Sequence, residues 1–180
     1  MAELKGNVAE IAKKIKLLAM DVDGVLTYGS ISYDENGVEY KTFNVKDGHG
    51  IVRLNKSGFV TAIITARKNG TVQHRAENLN ITEIYQGQKY KLPALEEIMA
   101  KYNLSYENVC YVGDDIPDIC VLEKVGMACC PKDAVKEVLS ICNFISSKDG
   151  GRGVVREISD FILEAQDIEK IALVSETDSK

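Results

Sequence analysis

The sequence predicts an α/β protein: a three-layer α/β/α, Rossmann-like parallel sheet with a β-hairpin inserted after its first strand. Three observations predict it. Short apolar runs of strand length alternate with segments whose apolar residues recur at helical spacing. Most of those runs are continuously apolar, as in strands buried on both faces, rather than alternating. Residues 29–45 break the rhythm, with two alternating runs around an Asn36-Gly37 turn.

The first strand is expected at 15–20. The hairpin follows, with Ser30-Ile31-Ser32-Tyr33 and Val38-Glu39-Tyr40-Lys41-Thr42-Phe43 flanking Asp34-Glu35-Asn36-Gly37. A helix is expected at 48–57, then strands at 60–64 and 81–85 on either side of a helix at 69–79. A helix at 93–102 leads to a strand at 109–112. Pro117 and Pro131 each stand where a helix can begin, because the first turn tolerates proline. Strands at 126–129 and 143–145 and an amphipathic helix at 152–165 complete the pattern. The 180 residues are expected to form a single domain, 1–180, with residues 170–180 as a flexible tail.

Composition narrows the class. Apolar residues make up 45% and charged residues 27%, ordinary globular usage that excludes wholesale disorder. No stretch approaches the roughly 18 apolar residues of a membrane span, and no secretory signal is expected at the N-terminus. The net charge of -5 argues against a nucleic-acid surface. The five cysteines, Cys110, Cys120, Cys129, Cys130 and Cys142, lack metal-site spacing. They read mostly as small core residues of a protein in a reducing cytoplasm.

Chemistry gathers at the predicted strand ends. The first strand runs into Asp21-Val22-Asp23-Gly24 and the fourth into Gly113-Asp114-Asp115, with Asp118 close behind. The second ends at Thr65-Ala66-Arg67-Lys68, and Lys89-Tyr90-Lys91 lies beyond the third. Ligands of such sheets bind beyond the carboxyl ends of the strands. Clustered carboxylates repel unless a cation holds them, and oxygen ligands without His or Cys suit Mg²⁺. A carboxylate can accept a phosphoryl group, and a second one two residues on can act as general acid and then base.

Together, Asp21-x-Asp23-Gly24-Val25-Leu26-Thr27, Thr65, a following lysine and Gly113-Asp114-Asp115 resemble the haloacid-dehalogenase-like phosphatases over nearly the whole chain. The resemblance implies Asp21 as nucleophile, Asp23 as general acid/base and Thr65 as a phosphoryl ligand. It implies Mg²⁺ on Asp21, the Asp23 carbonyl and Asp114, supported by Asp115. Lys91 fits the family's lysine, with Lys89 the alternative. The spacings from Asp23 to Thr65 and from Thr65 to Asp114 leave no room for a cap domain.

Within the family, the hairpin, Lys41-Thr-Phe-Asn-Val-Lys-Asp-Gly-His-Gly50, Tyr85-Gln-Gly-Gln88 and Gly150-Gly-Arg-Gly-Val-Val-Arg-Glu157 resemble the capless phosphatases of 3-deoxy-octulosonate 8-phosphate. That implies a cytoplasmic enzyme of lipopolysaccharide precursor synthesis, acting on a phosphorylated sugar acid. It also implies a homotetramer whose hairpins join and whose neighbouring subunits cover the sites. Arg67, Lys68 and Arg152 are the candidates for binding substrate, Arg67 through its planar fork on the carboxylate. A nine-carbon sugar-acid 9-phosphate and a non-catalytic phosphoacceptor domain are the alternatives. One departure stands out: Ala66, where the family more often has glycine.

Overall fold

The computed structural model describes residues 1–168; the expected tail, 170–180, lies outside the described residues. A seven-stranded sheet comprises β1 (Glu3–Leu4), β2 (Leu17–Met20), β5 (Val60–Thr65), β6 (Glu83–Gln86), β7 (Val109–Val112), β8 (Met127–Cys130) and β9 (Phe144–Ile145). The hairpin strands β3 (Ser32–Tyr33) and β4 (Glu39–Tyr40) form a separate ribbon. The sheet order is β1-β9-β8-β7-β2-β5-β6, parallel except for β1 against β9. The helices are α1 (Val8–Ala12), α2 (Val45–Lys56), α3 (Gly70–Asn78), α4 (Lys91–Tyr102), α5 (Ile119–Leu122), α6 (Lys136–Ile141) and α7 (Val154–Ala165).

The apolar runs explain the layers. In β2, Leu18 and Met20 face one core with Ile51 and Leu54 of α2 and Ile158 and Ile162 of α7. Leu17 and Ala19 face the other, with Leu95 and Ile98 of α4, Val121 of α5 and Val138 of α6. A period of two in a strand covered on both sides therefore reads as an unbroken apolar run. Only the hairpin and α2 separate Asp23 from Thr65, so no cap domain stands there.

Several boundaries move from their expected places, each for a local reason. Helix α2 starts three residues early, because the Asn44 side chain caps it by accepting from the Lys46 N–H at 2.9 Å. Gly48 and Gly50, poor helix formers in isolation, sit inside α2 because α3 and α7 approach it there. A Cβ on Gly48 would meet the Arg75 guanidinium, and one on Gly50 would lie 3.1 Å from the Arg156 Cα. Helix α4 starts at Lys91, which leaves Pro93 in the first turn, where its missing N–H has no helical partner to lose.

Pro131 does not begin a helix: α6 starts at Lys136, after a turn in which the Ala134 N–H donates to Pro131 O. The last helix starts at Val154 rather than Arg152, because Gly153 precedes it with a φ of 106°. Cys120 is exposed, unlike the four other cysteines, which are buried. Strand β1 and helix α1, too short to show periodicity, are additions to the expected elements.

Candidate active site

The register of β2 places the site. Met20 lies opposite Ile63 of β5 on one side and Val112 of β7 on the other. From β2 the chain winds outward through β5 and β6, then returns to build β7, β8 and β9 on the other flank. The loops beyond β2 and β7 diverge at this switch point and leave a crevice. A cleft of about 260 Å³ lies there, lined by Asp21, Asp23, Gly24, Thr65, Ala66, Arg67, Lys91, Asp114, Asp115 and Asp118 among others.

At its floor, the Lys91 Nζ lies 2.7 Å from Asp21 Oδ2 and 2.6 Å from Asp118 Oδ1, with the Lys91 side chain 1% exposed. Lys89 is exposed, and among the described residues no carboxylate pairs with it. Asp118 is saturated: it also accepts from the Tyr111 hydroxyl at 2.7 Å and from the backbone N–H groups of Asp114 and Asp115 at 3.1 and 3.3 Å. Asp21 accepts from the Val22 N–H at 2.7 Å. Burial, with Asp118 nearby, pushes Asp21 up to about 6 against the opposing pull of Lys91. Burial, with Asp118 and Asp21 adding, pushes Asp114 up to about 8.

These carboxylates fit a divalent cation. Ligand oxygens of Asp21, Asp114 and Asp118 lie within 4.8 Å of one another. Asp114 Oδ1 is buried without a hydrogen-bond partner, and burial together with neighbouring carboxylates raises both Asp21 and Asp114, a cost that a bound cation would offset. Hard oxygen donors of this kind suit Mg²⁺. Because Asp118 is fully committed, Asp21 and Asp114 are the side chains with oxygens to offer. Asp115 lines the cleft, but it is exposed and caps a 3₁₀ turn, Ile116–Asp118, by accepting from the Ile116 N–H at 2.8 Å. Gly24, at a φ of 83°, is required here because a Cβ would collide with the Asp114 carboxylate. Ala66 is absent from the described residues with positive φ, so its methyl brings no backbone strain.

Asp23 and Arg67 of the cleft lining belong to a ring of charge completed by two hairpin residues. Lys41, from just beyond β4, pairs with Asp23 Oδ1 and lies 2.9 Å from Glu39 Oε1. Glu39 Oε2 pairs with Arg67 Nη2, and Arg67 Nε lies 3.9 Å from Asp23 Oδ2. Lys41 and Arg67 hold the Glu39 carboxyl below its ordinary value. Lys68 and Arg152 stand outside the cleft. The Lys68 side chain lies against Gly87, and the Arg152 guanidinium stacks 5.2 Å from the centre of the Tyr28 ring.

The haloacid dehalogenase-like hydrolase family model matches residues 51–158. The chain belongs to this family. This hydrolase is 44% identical to the 3-deoxy-D-manno-octulosonate 8-phosphate phosphatase of Escherichia coli K12, over 91% of its own length and 87% of the relative's. A solved structure from Yersinia pestis with the same name is 43% identical, with a TM-score of 0.88, covering 89% of this chain and 87% of that one. The Moraxella catarrhalis phosphatase, solved with magnesium, phosphate and a KDO molecule, is 40% identical with a TM-score of 0.87, covering 89% and 92%.

Sequence reasoning assigned no role to four residues in or behind the hydrolase's cleft: Tyr111, Glu39 and Lys41, and Asp118, which it noted only as a carboxylate near the fourth strand's end. Asp118 and Tyr111 fix Lys91 from beneath, and only the fold shows that Tyr111 points to the same side as the Asp118 turn. In the sequence, Glu39 and Lys41 are simply residues of the hairpin. The signal was present: positions 39 and 41 share one face of the ribbon, while Val38 and Tyr40, 52% and 56% exposed, take the other.

Proposed function

We propose that this hydrolase cleaves 3-deoxy-D-manno-octulosonate 8-phosphate to 3-deoxy-D-manno-octulosonate and phosphate, through an aspartyl-phosphate on Asp21. The observation that carries the reading is the buried Lys91–Asp21 pair in one cleft with Asp23, Thr65 and Asp114. The names of the relatives supply the substrate, and the bound ligands of the Moraxella neighbour support it.

In the first step, an Asp21 carboxylate oxygen attacks phosphorus and the ester P–O bond breaks, while Asp23 protonates the leaving oxygen. In the second, Asp23 takes a proton from water, the water oxygen attacks phosphorus and Asp21 is released. Lys91 and the Thr65 hydroxyl bind the phosphoryl oxygens and stabilise charge that builds on them. Mg²⁺, held by Asp21, Asp114 and the Asp23 carbonyl with Asp115 in support, offsets the repulsion between nucleophile and phosphate. Arg67 takes the sugar acid's carboxylate through its exposed N–H groups. Lys68 and Arg152 are the further candidates for contacting the substrate.

The enzyme acts as one catalytic domain in the cytoplasm, and a homotetramer forms through the 29–45 hairpin. Ile31, Tyr33, Val38 and Tyr40 are each about half exposed on that ribbon, which leaves an apolar surface to cover. Phosphate release with and without Mg²⁺ tests the activity. Turnover of the eight-carbon substrate is expected to need the metal and to vanish in Asp21→Asn. A marked preference for a nine-carbon sugar-acid 9-phosphate would replace the substrate.

A further inference from the structure

The ring of Asp23, Lys41, Glu39 and Arg67 joins the hairpin to two loops of the site. It contains two carboxylates and two cations, so it is neutral as a unit. Its members are unequally exposed: the Lys41 side chain is 2% exposed, Glu39 14%, Asp23 25% and Arg67 41%. The most buried charge, Lys41, thus depends on Asp23 and Glu39 together, while Arg67 keeps N–H groups facing solvent.

Two roles for Glu39 compete. It could be a stand-in for the substrate's carboxylate that leaves Arg67 when substrate arrives, or a fixed support that aims Arg67. Burial separates them. Withdrawing Glu39 from Arg67 would also strip Lys41 of a partner, and an uncompensated buried ammonium is strongly unfavourable. Glu39 and Lys41 stand two residues apart on the same side of the ribbon, with Lys41 Nζ 2.9 Å from Glu39 Oε1. The Arg67 guanidinium is held by Glu39 and by the Tyr33 side chain, with Asp23 beside its Nε, and its side chain is still 41% exposed, so donors remain for a further contact.

We propose that Glu39 and Lys41 are positioning residues for the reaction: Lys41 aims the Asp23 carboxylate, and Glu39 aims Arg67 at the acid group of the substrate. The Glu39 half rests on the reading that Arg67 takes that carboxylate. The hairpin therefore builds the sugar-acid side of the site within its own chain.

Steady-state kinetics on two esters test this: 3-deoxy-D-manno-octulosonate 8-phosphate and a pentose 5-phosphate, which lacks the carboxylate. Glu39→Gln is expected to lower kcat/KM for the acid roughly tenfold, the size of a lost charge-assisted hydrogen bond, mainly through KM. The pentose phosphate should lose much less. The double variant Glu39→Gln/Arg67→Ala should raise KM for the acid no further than Arg67→Ala alone, since Glu39 reaches the acid group only through that guanidinium, while any loss through Lys41 should appear in kcat on both esters. Lys41→Met should lower kcat on both esters, and Lys41→Arg should recover most of it.

Tighter binding of the acid by Glu39→Gln, equal rises in KM on both esters, or additive rises in KM for the acid in the double variant would overturn the Glu39 assignment. Should Arg67→Ala affect both esters equally, the carboxylate reading itself fails, and the Glu39 half with it. Should Lys41→Met not fold, as judged by circular dichroism, Lys41→Arg carries the test. A kcat loss in Lys41→Arg beyond roughly tenfold would mean that charge at this position does not suffice, against the proposal.

Discussion

Lys91 is enclosed by Asp21 and Asp118 and shielded from water, so its removal leaves two carboxylates facing each other. Lys91→Met is expected to abolish phosphate release and to destabilise the metal-free protein by roughly 3–5 kcal/mol, the cost of an unpaired buried charge. Chemical denaturation and phosphate assays check both. Gly24 answers to a different constraint. Gly24→Ala would press a methyl group into the Asp114 carboxylate from a backbone at φ 83°. Its expected signature is a large loss of Mg²⁺ affinity, measured by titration calorimetry, rather than a simple fall in stability. Both residues were legible as types from the sequence, Lys91 as one of two candidate lysines. The structure separates the two lysines by burial: the start of α4 turns Lys91 inward and leaves Lys89 in solvent.

Helices α2 and α7 are linked by a cap that crosses between elements. Asp47 of α2 accepts from the backbone N–H groups of Gly153 at 3.2 Å and Arg156 at 2.9 Å. It serves the first turn of α7, whose own preceding residue, Gly153, has no side chain to offer. Asp47→Ala is expected to cost about 1–2 kcal/mol, read as a lower melting temperature, while folded enzyme keeps its turnover. That contact explains two motifs at once. Lys46-Asp47-Gly48-His49-Gly50 and Gly150-Gly151-Arg152-Gly153 stood out in the sequence as features shared with a family. Their placement gives Asp47 a role in helix capping, and the glycines one in close packing. Gly150 and Gly151 leave no room for a Cβ against the backbone of Gly24 and Thr27. The hairpin was legible from alternation and its Asn-Gly turn, yet its inner face was not, because register against another loop is not written in a period of two.

At the scale of the whole molecule, stability and metal binding are coupled through the acidic cleft. Asp114 is raised to about 8 and Asp21 to about 6 in the folded protein, both above the ordinary carboxylate range of the unfolded chain. Groups raised by folding stabilise fully below the unfolded pKa, and that contribution is lost as pH rises through the folded value. Metal-free protein is therefore expected to lose melting temperature from about pH 4 to 8 through these two groups. Saturating Mg²⁺ should reverse the trend, because the cation favours the ionised forms. Melts across pH with chelator or Mg²⁺ check the sign. Light scattering checks the assembly: four copies are expected, and a charge at Tyr40 on the outer face of the ribbon should lower that number.

The sequence by itself determined the layered α/β class, the strand order in time, the first acidic pair, Thr65 and the absence of a cap. The class, the strand order and the strand-end residues follow from local rules, apolar runs and helical spacing, and the missing cap follows from the family resemblance that the motif spacings carry. Tertiary structure alone decided that Asp118 and Tyr111 support Lys91, that Asp115 caps a turn, and that Lys41 and Glu39 pair with Asp23 and Arg67 of the cleft. The reason is physical. A strand's period and a helix's cap depend on neighbours in the chain, whereas a buried charge must find its counter-charge wherever the fold brings one within reach.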